Sequence, residues 1–279
     1  MLPTRPDSRA WNGLSAVLEE EGFELIEAAL WVAAVETPDL DVLRESSRIR
    51  FIASEGARRV EGIDNPFALV DGLAEFLFED LAFRGNVLRY KDPRNSFLNE
   101  VLNRRLGIPL TLSMIYLEVA REAGLKAQGV GLPGHFVVRL DIDERTILVD
   151  PFHGGRVITE DDAADLVSRT TGRAGLFRRE MLAGTTSRSM LTRLLLNLKH
   201  VYVQQQDYGR ALAMVDRLLL VQPDDWSELR DRGLIQAHLG RPGAAIRDLE
   251  QYLELSPAPD EETVRARVAW LRRQMSEMN

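Results

Sequence analysis

There is no cysteine among the 279 residues of this chain. Thiolate catalysis, disulfides and thiolate zinc sites are therefore excluded together. The groups left for chemistry are four histidines, the carboxylates and the hydroxyls. His135 opens an apolar, strand-like run over 135–140, and Asp150 closes the next such run, 146–149. With the acidic turn 141–144 between them, this spacing suits a hairpin that brings both side chains to one end of a sheet. A His–Asp pair of this kind is either a general base held by its carboxylate or a partly buried histidine kept for its hydrogen bonds. The spacing predicts contact, and contact alone is not catalysis. Asp150 and His153 are close in sequence, and with His135 they make two imidazoles and a carboxylate, a known ligand set. No His-Glu-x-x-His helix accompanies them, and no metal or cofactor is expected.

Two further groups of residues invite a functional reading. Asp92, Asn95, Ser96 and Asn99 gather around one loop and helix start. They serve as caps and turn formers, or they line the cleft of His135 and bind a polar ligand. Gly129-Val-Gly-Leu-Pro-Gly134 matches the dinucleotide fingerprint in its letters. That motif must lead from a strand into a helix N-terminus. Here a strand follows and Pro133 interrupts, so the match is rejected.

The elements that position these residues begin with helices. Apolar residues at helical spacing predict a helix over 16–35, another over 39–60 and a third over 67–83. A turn-rich segment, 84–96, follows. Asn95 or Ser96 is a plausible N-cap for a helix over 97–106, with Gly107 ending it. Pro109 is placed as the first residue of the next helix, which Gly124 closes. Three strand-like runs, 126–130, 135–140 and 146–149, then predict an antiparallel meander packed on a helix. Thr159 and Asp162 form a capping-box pattern opening a short helix to Arg169.

The polar segment 172–189 divides the chain into 1–180 and a helical part, 190–279. The second part repeats itself at a shift of 34. Gly209 then matches Gly243, Ala211 matches Ala245, Val215 matches Leu249 and Pro223 matches Pro257. This period is that of tetratricopeptide helix pairs. Lys199 departs from the pattern, standing where the second repeat has Gly233. The repeats offer a partner surface, a buttress for the rest of the chain, or both.

The run from Phe83 to Pro109, with Gly131-Leu-Pro-Gly-His-Phe136 and Asp150-Pro-Phe152, resembles the bacterial SirB-type family. So do Arg193-Leu-Leu-Leu-Asn-Leu-Lys199 and Arg230-Asp-Arg-Gly233. Those proteins join a transglutaminase-like domain to tetratricopeptide repeats. The resemblance implies a Cys-His-Asp triad, onto which His135 and Asp150 carry over. The nucleophile does not carry over, because Pro109 stands at or near the family's cysteine. Thr111 and Ser113 lie further along the helix, and Ser113 would serve only if His135 removed its proton.

The expected fold is α+β and mainly helical. A transglutaminase-like (papain-like) core with a small antiparallel sheet precedes a tetratricopeptide-like α-helical stack. The expected function is a non-catalytic regulatory or scaffolding protein that binds a peptide or protein partner. The alternative is a hydrolase or acyltransferase in which His135 and Asp150 activate a Ser, a Thr or a water. The net charge of −8 argues against nucleic-acid binding. No stretch approaches the ~18 apolar residues of a membrane span. The segment 1–12, with Pro3, Pro6 and Asp7, does not read as a signal peptide, so a cytoplasmic location is expected.

Overall fold

The computed structural model describes residues 8–255 and 260–277. The readings placed on Pro3, Pro6, Asp7 and Pro257 lie outside them. The chain forms two compact units, Met1–Leu191 and Thr192–Asn279.

The first unit opens with α1 (Ser8–Glu19), α2 (Leu25–Ala33), α3 (Val42–Arg59) and α4 (Pro66–Ala74). The single helix expected over 16–35 is split between α1 and α2. Three glutamates in a row, Glu19 to Glu21, oppose the helix dipole at the C-terminal end of α1. Gly22 then adopts φ +74° and turns the chain. The helix expected over 67–83 is also shorter than predicted. After α4 the backbone widens into a π-helical turn, Glu75–Asp80, and Ala82 leaves it at φ +56°.

Strand β1 (Arg84–Gly85) pairs in parallel with β2 (Leu106–Gly107), and α5 (Leu98–Arg104) lies between them in sequence. Neither Asn95 nor Ser96 is the N-cap of α5. That position falls to Phe97, which makes no side-chain cap. Nor does Gly107 end the helix. Arg105 does so at φ +59°, with its guanidinium 4.5 Å from the centre of the Phe83 ring. Gly107 is needed for a different reason: a Cβ there would sit 2.8 Å from the Thr111 hydroxyl.

The central helix is α6 (Pro109–Glu122), buried along nearly its whole length. Pro109 at its first position gives up an N–H that would have no intrahelical partner anyway. The Thr111 hydroxyl accepts from the Ile108 N–H at 3.1 Å and donates to the Asn95 carbonyl at 2.8 Å. The helix packs on α3 and on the sheet. Gly56 of α3 admits Val119, which would lie 2.3 Å from any Cβ there.

The sheet is a four-stranded antiparallel meander in the order β3-β4-β5-β6. Its strands are β3 (Lys126–Leu132), β4 (His135–Ile142), β5 (Arg145–Asp150) and β6 (Arg156–Ile158). β6 is an addition to the sequence reading, too short at three residues to show alternation. Leu132 pairs with His135 across a Pro133-Gly134 turn, with Gly134 at φ +73°. The next helix, α7 (Glu160–Thr171), starts at the capping box of Thr159 and Asp162. Near its end, the Thr170 hydroxyl donates to the Pro133 carbonyl. This pins the turn from which His135 emerges.

The helix α8 (Ser187–Gln204) carries the chain into the second unit. There follow α9 (Tyr208–Val221), α10 (Trp226–His238), α11 (Pro242–Leu255) and α12 (Glu261–Glu277). The matched residues Ala211, Ala245, Val215 and Leu249 are all fully buried. A Cβ on Gly233 would meet Leu249 at 2.8 Å, so α10 and α11 approach closely at that glycine. At Lys199 the chain uses a different solution. The ammonium donates to Glu228 at 2.5 Å and to Asp231 at 3.0 Å, both on α10.

Candidate functional site

The site grows from one end of the sheet. His135 is the first residue of β4 and Asp150 the last of β5. The antiparallel pairing of these strands brings the two side chains together. His135 Nε2 lies 3.1 Å from each carboxylate oxygen of Asp150. Asp150 is 0 % exposed and His135 4 %.

After Asp150 the chain makes a 3-10 turn, Pro151–His153, which Asp150 itself caps. Its Oδ1 accepts from the backbone N–H groups of Phe152 at 3.1 Å and His153 at 3.3 Å. The turn swings the His153 ring back, so that Nδ1 sits 2.7 Å from Asp150 Oδ2. One carboxylate therefore holds two imidazoles and two amides. Burial alone would raise the Asp150 carboxyl. The hydrogen bond and charge of His135, followed by those of His153, outweigh burial and hold it below the ordinary range.

His135 and His153 line one wall of an open cleft of about 450 Å³, with Tyr90, Phe152, Arg156, Arg169 and Thr170. His153 is 42 % exposed. The Phe152 ring meets His135 edge-on at 5.9 Å and Tyr90 at the same distance. Beside Tyr90, Leu88 is 97 % exposed and Val87 is also exposed.

The other residues singled out from sequence take different places. Ser113 is fully buried, and among the described residues its hydroxyl has no hydrogen-bond partner, His135 included. The Thr111 hydroxyl is committed to the start of α6. None of Asp92, Asn95, Ser96 and Asn99 is among the residues lining the cleft. Asn95 instead clamps the loop that forms its wall. Its Nδ2 donates to the carbonyls of Arg89 at 2.8 Å and Tyr90 at 3.3 Å, and its Oδ1 accepts from Asn86 at 2.9 Å. Asp92 caps the 3-10 turn Pro93–Asn95 and pairs with Arg94 and Arg104. Ser96 and Asn99 are buried.

The sequence reading missed Tyr90, Phe152, Arg156, Arg169 and Thr170. The available signal was Val87, Leu88 and Tyr90, apolar residues interrupting an otherwise polar turn segment.

A family model described as the transglutaminase-like superfamily matches residues 43–196, and one described as tetratricopeptide repeat matches 198–273. The chain belongs to the transglutaminase-like superfamily. A UPF0162 protein of Xylella fastidiosa (strain Temecula1) is 37 % identical over 254 residues, covering 89 % of each chain. This chain belongs to that family as well. F-box only protein 21 of Homo sapiens is 28 % identical over 205 residues, covering 69 % of this chain and 31 % of that one. Among solved structures, menin superposes with a TM-score of 0.41 at 8 % identity, covering 92 % of this chain and 72 % of that chain. The superfamily match spans every residue of the His135–Asp150–His153 cluster and of the loop held by Asn95. The repeat match takes in the Lys199 pairing.

Proposed function

We propose that this protein is a non-catalytic regulatory or scaffolding protein. Its transglutaminase-like part, 1–180, takes a peptide in the cleft beside His135, and its repeats, 190–279, offer a second protein-binding surface. The setting proposed is a bacterial cytoplasm. The observation that carries the reading is the state of the nucleophile position. The chain has no cysteine, Pro109 starts α6, and the nearby Ser113 hydroxyl is buried without a hydrogen bond to His135. A serine needs a base in contact to attack. The cleft supports binding through the part-exposed Tyr90 ring on its wall and through Arg156 and Arg169. Asn95 acts here as a positioning residue for that wall, and Asp92 caps the turn that carries it.

The competing reading is a hydrolase or acyltransferase in which His135, oriented by Asp150, activates Ser113, Thr111 or a water. It is supported by the intact pair. One set of experiments on the full chain separates the two. Peptides selected from a displayed library should bind with affinity that falls about tenfold in Tyr90→Ala, a loss of ~1.4 kcal/mol, and is unchanged in Ser113→Ala. A fluorophosphonate probe should leave the chain unlabelled. Labelling that Ser113→Ala abolishes would establish the hydrolase, and a library yielding no binder would sink the peptide cleft.

A further inference from the structure

We infer that His135, Asp150 and His153 form a binding site for one divalent first-row transition-metal ion of the zinc class, open toward the cleft. The inference goes beyond peptide binding and does not depend on it. Each residue offers one ligand atom, and these atoms all lie within 4.8 Å of one another. An imidazole nitrogen and a carboxylate oxygen sharing one tetrahedral zinc at about 2.0–2.2 Å stand ~3.3–3.6 Å apart. The His135–Asp150 separation is 3.1 Å. The His153–Asp150 separation is 2.7 Å and opens by more than about half an ångström, through the exposed His153 side chain, to admit the ion.

The ligand types suit such an ion, since borderline N/O donors select zinc, cobalt or nickel over calcium and magnesium. The rings of His135 and His153 lie 28° from parallel with centres 5.6 Å apart, and each turns one nitrogen to the same carboxylate. The carboxylate is already oriented by the amides of Phe152 and His153, the outer support that metal ligands require. Two ligands are buried and rigid, and the third, His153, is on an exposed side chain that can turn to close the set. Three protein ligands leave a fourth position, and the cleft faces it. Arg156 and Arg169 line the same cleft. Their charge opposes the cation at long range and favours an anionic group on its open side.

The test uses tag-free full chain, titrated calorimetrically with zinc chloride and followed with cobalt(II) by its visible absorption. The expected result is one zinc per chain, with affinity at least about tenfold weaker in His153→Ala. His200→Ala, which alters a histidine in the second unit, should bind as the unmodified chain does. Zinc should also raise the melting temperature of the unmodified chain and not that of His153→Ala. Absence of saturable zinc and cobalt binding, or binding undiminished in His153→Ala, overturns the site. Either result leaves the peptide selection to be judged on its own.

Discussion

The side-chain amide of Asn86 donates to Asn95 Oδ1 at 2.9 Å, out of contact with solvent. Asn86 Oδ1 in turn accepts from the Arg89 N–H, and Asn95 Nδ2 donates to the carbonyls of Arg89 and Tyr90. Two buried amides thus close the loop 86–90 from inside and hold Tyr90 against Phe152.

Asn95→Ala should remove this clamp. The Asn86 amide and the Arg89 carbonyl would lose buried partners, a cost of about 2–3 kcal/mol. Urea unfolding should show the loss, and hydrogen exchange should show faster exchange at the Arg89 amide. A variant with unchanged exchange there would mean that the loop is held by other contacts.

Lys199→Met should destabilise the repeat unit by about 3–5 kcal/mol, because it leaves Glu228 buried without its cation. Burial already pushes the Glu228 carboxyl up, against the hydrogen bond and charge of Lys199, while Asp231 and Asp225 push it further up. A carboxyl raised in the folded state holds its proton more tightly than the unfolded chain does. The deficit of the variant should therefore be largest above the folded value and shrink as pH falls through it. Adding Glu228→Leu should restore most of the loss, as measured by thermal melts of the single and double variants at neutral and acidic pH.

Asp92→Asn should weaken the first unit by about 1 kcal/mol at neutral pH, since the Arg94 end of the pair is exposed and an asparagine can still cap the turn. The hydrogen bond from Arg94 is the main reason the Asp92 carboxyl stands below its usual range, and the charges of Arg94 and Arg104 add to it. A lowered carboxyl contributes stability above its unfolded value of ~3.9 and loses it as pH falls through the folded one. The gap between the variant and the unmodified chain should therefore close below about pH 4 in urea titrations.

Periodicity and punctuation made the larger elements legible. Pro109 and Gly124 bracket α6, and the shift of 34 exposes the repeat because small residues must recur wherever helices touch. Strand ends made the meeting of His135 and Asp150 legible, since adjacent strands fix which residues share an end. The π-helical turn after α4 and the left-handed Arg105 were not legible, because both depend on contacts distant in sequence, as with Arg105 over Phe83. The role of Asn95 was hidden for the same reason. A turn-forming residue type does not show which carbonyls it will hold. Lys199 looked like a break in the repeat, although its charge is answered by two carboxylates of α10.

The His135–Asp150 contact spans 15 positions of the chain, and the Asp150–His153 contact spans three. No residue of this cluster comes from α1 to α5 or from the repeats. Its assembly requires only the closing of short loops, whose entropy cost is small, and contacts of this range form fast. The cluster is therefore a product of local chain geometry. A segment carrying β3 to β6 brings its own ligand atoms together, and the helices around it supply burial and the cleft wall.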